Sequence, residues 1–510
     1  MIIYSKRLSL RLLTLNNIFV QEAEVFRSPD IQPLLPVFCI KQASVIIKTM
    51  NKAFAILICL CSFFLSSCDS SKSKDLFNGF ANKYWDTSGN VTMKDSIFSL
   101  KGEQSYAVLK NAEYQDFDLC MDLRTTTGGK GYIAFHTDSE GKGHRVAINN
   151  DRLDPVWWRM TGSLMSVRNL TKSFVKENEW FKMNIRVEGQ SVTVRINDEP
   201  VVEYIEPSRP FRTEKNIRSI LSQGTFSLVS TGLGAIQFKN IHVEALDRKI
   251  INIPAQLEVA KDEQSDDIIR LHQEDFPVLD YHVHLKGGLT KENAAKQSRK
   301  LGINYAIAPN CGIGFPITDD KGIYDFLKTM RTEPFILAMQ AEGREWLTTF
   351  SQEARDEFDF VFTDALTFTD KKGRRTRLWI KEETWIENEQ EYMDMIVDKI
   401  CDVLQEPVDI YVNPCFLPEP MDQRYDEFWT EARMDKFVDA LAKSGKALEI
   451  NELYQIPNKA IIMKAKAAGV KFTFGSNNVT PEVSKLEYSI YMKNECGLTA
   501  SDMYKPKIKI

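Results

Sequence analysis

Phe181-Lys182-Met183-Asn184-Ile185-Arg186-Val187-Glu188 alternates apolar and polar residues without a break, and after Gly189-Gln190 the alternation resumes through Val192, Val194 and Ile196. A period of two puts every second side chain on one face, so the stretch reads as two half-buried strands joined by a turn. The same period runs through Phe117-Asp118-Leu119-Cys120-Met121-Asp122-Leu123-Arg124. Between Asp75 and Leu246 short strands of this kind are separated by turn signals, with no helical period of comparable length. That pattern predicts an all-β sandwich or jelly roll and excludes a parallel sheet in this part of the chain.

The pattern changes beyond Leu246. Residues 247–275 are charged and lack sustained periodicity, which reads as a linker with one short helix. From Phe276 short apolar strands alternate with amphipathic stretches: Val278 to His284, a helix near Lys291 to Leu301, then Tyr305–Ala308, Phe335–Ala338, Phe360–Phe362, Val408–Val412, Ala447–Ile450 and Val470–Phe474. Strands and helices in alternation predict a (β/α)7-type barrel over 276–510. Two units, each folding independently and joined near 247–275, are therefore expected.

Functional groups of such barrels sit just after the carboxyl ends of the strands. His282 and His284 end the first strand, Asn310 follows the second, Glu342 the third and Asp364 the fourth. Asn413, Asn451, and Asn477 with Asn478 follow the fifth, sixth and seventh. Side-chain alternation places both imidazoles of His282-Val283-His284 on one face, where they can share a cation. Arg344, in the loop after the third strand, and the Lys372-Gly373-Arg374-Arg375-Thr376-Arg377 run add cations suited to a carboxylate or phosphate, although the second run reads equally well as solvated charge.

Across its 510 residues the chain is 43% hydrophobic and 26% charged, with a formal net charge of -5, which places it among soluble globular proteins. The negative balance, with no basic stripe, excludes nucleic acid as a partner. Of nine cysteines, Cys39, Cys59, Cys61 and Cys68 precede the folded region, and the other five show no Cys-x-x-Cys pair or close metal spacing. From Met50 the chain reads MNKAFAILICLCSFFLSSCDSS: Lys52 as a basic start, an apolar run from Ala53 to Leu65, then Leu65-Ser66-Ser67-Cys68. An apolar run this short cannot span the roughly 30 Å of a bilayer core as a helix. It resembles a lipoprotein signal peptide (50–67) ending at a lipobox, which implies a lipidated Cys68, a short tether over 68–74 and a place in the bacterial cell envelope. Residues 1–49 are then read as an upstream extension.

Several short motifs in the first region carry a family resemblance: Asp75-Leu76-Phe77-Asn78-Gly79 with Trp85, the Phe117 strand, Gly131-Tyr132-Ile133-Ala134-Phe135-His136, Thr161-Gly162-Ser163-Leu164 and Asn178-Glu179-Trp180. In this order they resemble the 3-keto-disaccharide hydrolase domain, a concanavalin-like sandwich. The resemblance implies action on 3-keto-glycosides, whose ketone acidifies the neighbouring C2 proton and opens an elimination route. Such chemistry needs an acid or base beside a sugar-shaped cleft. The candidates over 75–246 are His136 and Asp151, with His144 and Asp138 beside them and Trp157 and Trp158 as a platform for sugar faces. Ala147 stands where the family commonly has a glutamine.

The ordered strand ends of the second region resemble the polymerase-and-histidinol-phosphatase (PHP) family, whose first motif is a strand ending in His-x-His and whose last is a Gly-Ser-Asp-x-His turn. Here that turn reads Gly475-Ser476-Asn477-Asn478, and none of the six histidines of the chain follows His284. The imidazoles of a trinuclear site are thus missing, and the expected cofactor is one divalent cation, zinc or manganese, on His282, His284 and Glu342, with Asp364 as a further ligand or general base. Asn310, Asn413, Asn451 and Asn477 bind divalent metals weakly and suit a polyhydroxylated substrate.

These readings predict a membrane-anchored extracytoplasmic hydrolase, or a lyase, acting on glycosides. The alternative is a carbohydrate-binding lipoprotein whose barrel has lost its metals. A phosphatase reading is weakened by the missing ligands, because fold alone does not fix function.

Overall fold

In the computed structural model residues 73–77, 83–247, 266–419 and 421–509 are described; Cys68, the apolar run before it, Asn78-Gly79 and residues 248–265 of the expected linker lie outside the described residues. The hairpin forms as its alternation dictates: Phe181–Glu188 pairs antiparallel with Ser191–Ile196, Val187 faces Val192, and the apolar members are buried. Among the described residues eleven antiparallel strands make one sheet. Its path runs His144–Asn149, Lys130–Thr137, Thr225–Ser230, Ile97–Leu109, Ala235–Ala245, Phe117–Thr125, Phe181–Glu188, Ser191–Ile196, Glu199–Ile205. Ser73–Phe77 and Trp85–Lys94 pair onto Ala235–Ala245 and Ile97–Leu109. The sheet curls on itself so that its apolar faces meet around Phe98, Phe117, Phe135, Phe226 and Phe238, a sandwich-like core. Cys120, Cys311, Cys401, Cys415 and Cys496 are all free thiols.

The second region is a closed barrel of seven parallel strands. In order around it they are Leu279–Val283, Asn304–Ile307, Ile336–Ala341, Phe360–Thr363, Ile410–Tyr411, Ala447–Asn451 and Phe472–Gly475, the last pairing back onto the first. Helices follow the strands. The first of these, Lys291–Leu301, starts where the Thr290 side chain accepts from the Asn293 amide and stops at Gly302, whose φ of 74° ends the helix in the left-handed conformation. Glu389–Val403, Glu431–Ser444 and Lys459–Ala467 bury one apolar face each against the outside of the barrel. The short helix expected near the linker is Asp267–Gln273.

Period two governs the barrel interior. Ile336, Ala338, Gln340 and Glu342 form one inward series, as do Phe360, Phe362 and Asp364, and Ala447, Glu449 and Asn451. Each series begins apolar at the amino end of its strand and finishes polar at the carboxyl end. The apolar ends are closed from outside: Trp157, Trp158 and Met160, from a loop of the sandwich, join Leu279, Tyr281, Ala306, Ile336, Phe360 and Ile410 in one buried cluster. The carboxyl-terminal segment completes this floor, with Tyr504 accepting at its backbone oxygen from the Tyr281 hydroxyl.

Trp157 and Trp158 are 4% and 8% exposed, so they form the barrel floor and offer no face to a sugar, contrary to the sequence expectation. The surface their rings cover is this chain's own barrel. Hydrogen bonds flank the seam: Thr171 N donates to Asn304 Oδ1 at 3.2 Å, Asn304 Nδ2 to Asn169 O at 2.9 Å and Lys172 Nζ to Phe335 O at 2.7 Å. The two halves thus keep separate main cores and share a third.

Candidate active site

One extra residue in the first barrel strand decides what faces the mouth. Asp280 pairs with Tyr305 but Val283 with Ile307, so three steps on one strand oppose two on the other. This is a β-bulge, which re-aims the side chains beyond it. Tyr281 lies inside against Phe360, at 5.7 Å between ring centres, and the bulge lets the next residue, His282, also face inward, 4.6 Å from Phe362. Val283 goes to the outer core, and His284 stands 4.9 Å from His282. The Asp280 carboxylate accepts from the His282 and Ser476 amides at 3.0 Å each, giving a partner to a backbone N–H within the bulge. Burial raises the Asp280 carboxyl to about 6.

Around this pair the barrel brings together all the strand-end residues expected from sequence, and two that were not. His282 Nδ1 donates to Glu449 Oε1 at 2.6 Å, while its Nε2 lies 3.3 Å from Gln340 Oε1. Asn310 Nδ2 donates to Gln340 Oε1 at 3.0 Å and to Glu342 Oε1 at 2.5 Å. Glu449 Oε2 accepts from the Asn413 amide at 2.7 Å and from Asn451 Nδ2 at 2.9 Å. Asn413 Oδ1 accepts from Asn451 and Asn477, and its Nδ2 donates to Asp364 Oδ2 at 2.8 Å. Glu449 and Gln340 each lie two residues before an expected site residue, so period two was the signal that would have found them. Gly475 makes room for this centre, since a Cβ there would collide with Glu449 Oε1.

The asparagines are 0–8% exposed and bind one another and the carboxylates. Asn413 and Asn477 also hold φ of 47° and 48°, left-handed backbone that asparagine tolerates better than most residues. Their types are therefore set by turn geometry and network as well as by any ligand. Arg344, expected to bind substrate, is committed instead to Glu406 at 2.8 Å, Thr363 Oγ1 at 3.0 Å and Asp364 O at 2.9 Å, and so braces the loop behind Asp364.

Two carboxyls at the mouth share one electrostatic problem. Burial first, then the neighbouring Asp364, push Glu342 up to about 8. Burial likewise raises Asp364, offset in part by hydrogen bonds from the Leu366 amide and Asn413. Close buried carboxyls cannot both ionise at low cost, so the pair holds a proton at neutral pH. His284 donates Nδ1–H to Ala308 O at 2.7 Å, and burial holds it far below the usual imidazole range, hence neutral. Its Nε2 is buried without a well-formed hydrogen bond, leaning only weakly on the Asn477 side chain.

A lone imidazole nitrogen beside carboxylates invites a cation, but the donors do not assemble one. Among the described residues no group of three or more His, Cys, Asp and Glu side chains is placed to hold a metal ion. Within the expected set, His282 Nε2 lies 3.3 Å from Gln340 Oε1, His284 Nε2 has no well-formed partner, and Glu342 Oε1 accepts from Asn310, so the three side chains share the mouth without being gathered around one point.

The sandwich candidates are engaged with neighbouring groups of the sandwich itself. His136, 3% exposed at a φ of 53°, donates from Nε2 to Gln115 O at 2.9 Å and accepts the Ser222 amide at Nδ1, and burial lowers it to about 4. Both ring nitrogens are taken up by backbone groups, which departs from the expected catalytic role. Asp151 caps a turn by accepting the Leu153 amide at 2.8 Å, and Asp138 does the same for Glu140 and Lys142. His144 is fully buried and pairs with Glu206 at 3.0 Å.

A 570 Å³ cavity opens at the barrel mouth, lined by Trp379, Phe416, Tyr454 and neighbours. Tyr454 connects it to the polar centre, its amide donating to Asn451 Oδ1 at 3.0 Å.

No curated protein matches the chain. Several solved structures are similar to about a third of the chain. A Parabacteroides distasonis protein assigned as a glycosyl hydrolase is 17% identical, with a TM-score of 0.32, over 35% of this chain and 95% of that one. A second assigned in the same way from that organism is 20% identical, with a TM-score of 0.28, over 34% of this chain and 100% of that one. The carbohydrate binding module CBM66 of Bacillus subtilis is 17% identical, with a TM-score of 0.24, over 33% of this chain and 97% of that one. Residues 72–244 match the family model of the 3-keto-alpha-glucoside-1,2-lyase-like domain, and the sandwich is thus a domain similar to those of glycoside-active proteins.

Proposed function

We propose that this chain is a glycoside-cleaving protein of the bacterial cell envelope, acting on 3-keto-glycosides by elimination or hydrolysis, with the reaction carried by the barrel mouth. The observation that carries this reading is the placement of Glu342 and Asp364, two buried carboxyls at the ends of adjacent strands, with burial and the Asp364 charge pushing Glu342 up to about 8. The family match over 72–244 supports the substrate class. Asp364 in its ionised form takes the C2 proton next to the ketone. The C1–O bond breaks, its electron pair goes to the leaving oxygen, and Glu342 supplies the proton that oxygen needs. The C2–H electron pair forms the C1=C2 bond, the pair ends with its proton count unchanged, Asp364 carrying the C2 proton and Glu342 ionised, and addition of water to the enone completes a hydrolysis. General acid–base transfer of this kind contributes about 10²–10⁴-fold.

The test is release of nitrophenol from a p-nitrophenyl 3-keto-α-glucoside by the full chain, with and without chelator. Turnover that survives chelation supports the metal-free pair. Activity restored only by zinc or manganese would return the site to the one-metal expectation. Anchoring is tested separately: mass spectrometry of membrane-extracted protein should find Cys68 as an acylated first residue.

A second reading, a carbohydrate-binding lipoprotein, is favoured by one observation. Glu342, Asp364 and the asparagines are all under 10% exposed and largely satisfy one another. Saccharide binding without turnover would select it.

A further inference from the structure

We propose that the cavity at the barrel mouth is a subsite for a neutral saccharide ring, with Trp379 as its stacking face. This rests on the reading of the chain as glycoside-active and adds which end of the barrel receives the sugar and what charge it carries. Three observations support it. First, the cavity encloses about 570 Å³, within the range of roughly 300–1,000 Å³ typical of small-ligand sites. Second, its lining has the two chemistries that a sugar ring presents. Trp379, 42% exposed, and Tyr454, packed edge-on to Phe416 at 4.8 Å, offer ring surfaces to the apolar C–H face. Lys381, Glu419 and Asp422 stand on the rim, where they can exchange hydrogen bonds with hydroxyls.

Third, the charge excludes the obvious competitors. Lys381 is paired with Glu419 at 3.1 Å, and Asp422 leaves the lining one negative charge in excess. A phosphorylated or uronic sugar would meet repulsion there, and Arg344, which could have attracted one, is held by Glu406. The cavity also belongs to the polar centre. Tyr454 donates its amide to Asn451, and it lies within electrostatic reach of Asp364 and Glu449. A ring stacked against Trp379 would therefore present its neighbour in the chain toward the carboxyl pair.

The experiment is calorimetric titration of the full chain, as the Glu342→Gln variant to prevent turnover, with maltose and cellobiose, and with glucuronate and glucose 6-phosphate as anionic controls. The expected result is saturable binding of a neutral disaccharide, weakened about tenfold in Trp379→Ala and within about threefold in Trp379→Tyr, which keeps a stacking ring. The anions should bind at least about tenfold more weakly. Neutral binding that is absent, indifferent to Trp379→Ala, or weaker than that of the anions overturns the proposal. Trp379 is partly exposed, so loss of fold is checked by the melting curve, and Trp379→Tyr supplies the second variant. The two readings fail differently. Trp379-dependent binding with no turnover of the keto-glycoside by the wild-type chain defeats the catalytic reading and keeps the subsite. Turnover whose KM ignores Trp379 keeps the former and defeats the latter.

Discussion

The two ends of the barrel are made from the same seven strands under the same two-residue period, yet they are finished in opposite ways. At the amino ends the inward residues are Leu279, Ile336, Phe360, Ile410 and Ala447, and the opening is filled by Trp157 and Trp158 from another part of the chain. At the carboxyl ends the inward residues are His282, Glu342, Asp364, Glu449 and Asn451, and the polar groups close on each other. An apolar end gains by recruiting any surface that excludes water, because hydrophobic burial is non-directional. A polar end is constrained by donor and acceptor geometry, so each residue type there is dictated by its partner. This is why the sandwich could be attached at the floor without disturbing the mouth.

The largest expected effect is chemical. Glu342→Gln or Asp364→Asn should each lower turnover by about 10²–10⁴-fold, read as nitrophenol release, while circular dichroism remains native. A smaller loss would mean the mouth is not the reacting end. Truncation at the floor should do the reverse. Trp157→Ala and Trp158→Ala should each cost about 3–5 kcal/mol in urea unfolding, with turnover per folded molecule nearly unchanged. Residues 266–509 expressed alone should bind a hydrophobic dye at the uncovered floor, and a well-folded, dye-silent barrel fragment would show that the seam is dispensable.

The pH dependence sharpens the contrast, because the mouth carries a carboxyl that burial pushes up to about 8. Glu342 has its folded value raised to about 8 from an ordinary 4.5, so folding retains a proton that the unfolded chain has released. Its contribution to stability is fully present below 4.5 and is lost as pH rises through about 8. Glu342→Gln should flatten that part of the stability profile, and a profile unaltered by the substitution would contradict the burial argument. Glu449→Gln, which sets an amide donor against donors where one carboxylate oxygen now accepts, should cost about 1–3 kcal/mol in thermal unfolding. The smallest effect is expected at the Lys372 to Arg377 run, whose anion-binding option the structure does not develop. Lys372 pairs with Glu387 in the open, at 58% and 73% side-chain exposure, and Lys372→Ala should change stability by under about 0.5 kcal/mol.

Much of this arrangement was legible along the chain. Alternation such as that of Phe181 to Glu188 specifies which face is buried wherever one side of a sheet meets a core, and those strands formed in the register it implies. The seven barrel strands, the helix Lys291–Leu301 and the polar residue after each strand were readable on the same grounds. Glu449 and Gln340 were readable too, two residues before Asn451 and Glu342, but a polar residue inside a strand looks unremarkable until its neighbours on other strands are known.

Other features had no local signature. Trp157 and Trp158 carry the same amphipathic composition whether they meet a sugar or a barrel floor, and the surface they meet is supplied by residues more than a hundred positions away. His136 and Asp151 likewise show only that they can bond, and their partners at Gln115, Ser222 and Leu153 are fixed by loop paths. The sequence by itself determined the strands, their buried faces and the ring of polar residues at the barrel mouth, because those follow from the two-residue period of a single strand. Tertiary structure decided the bulge at Asp280 to Val283 that turns His282 inward, the coupling of Glu342 with Asp364, and the closing of the floor by the sandwich, because each depends on which distant side chains are brought within a few ångströms.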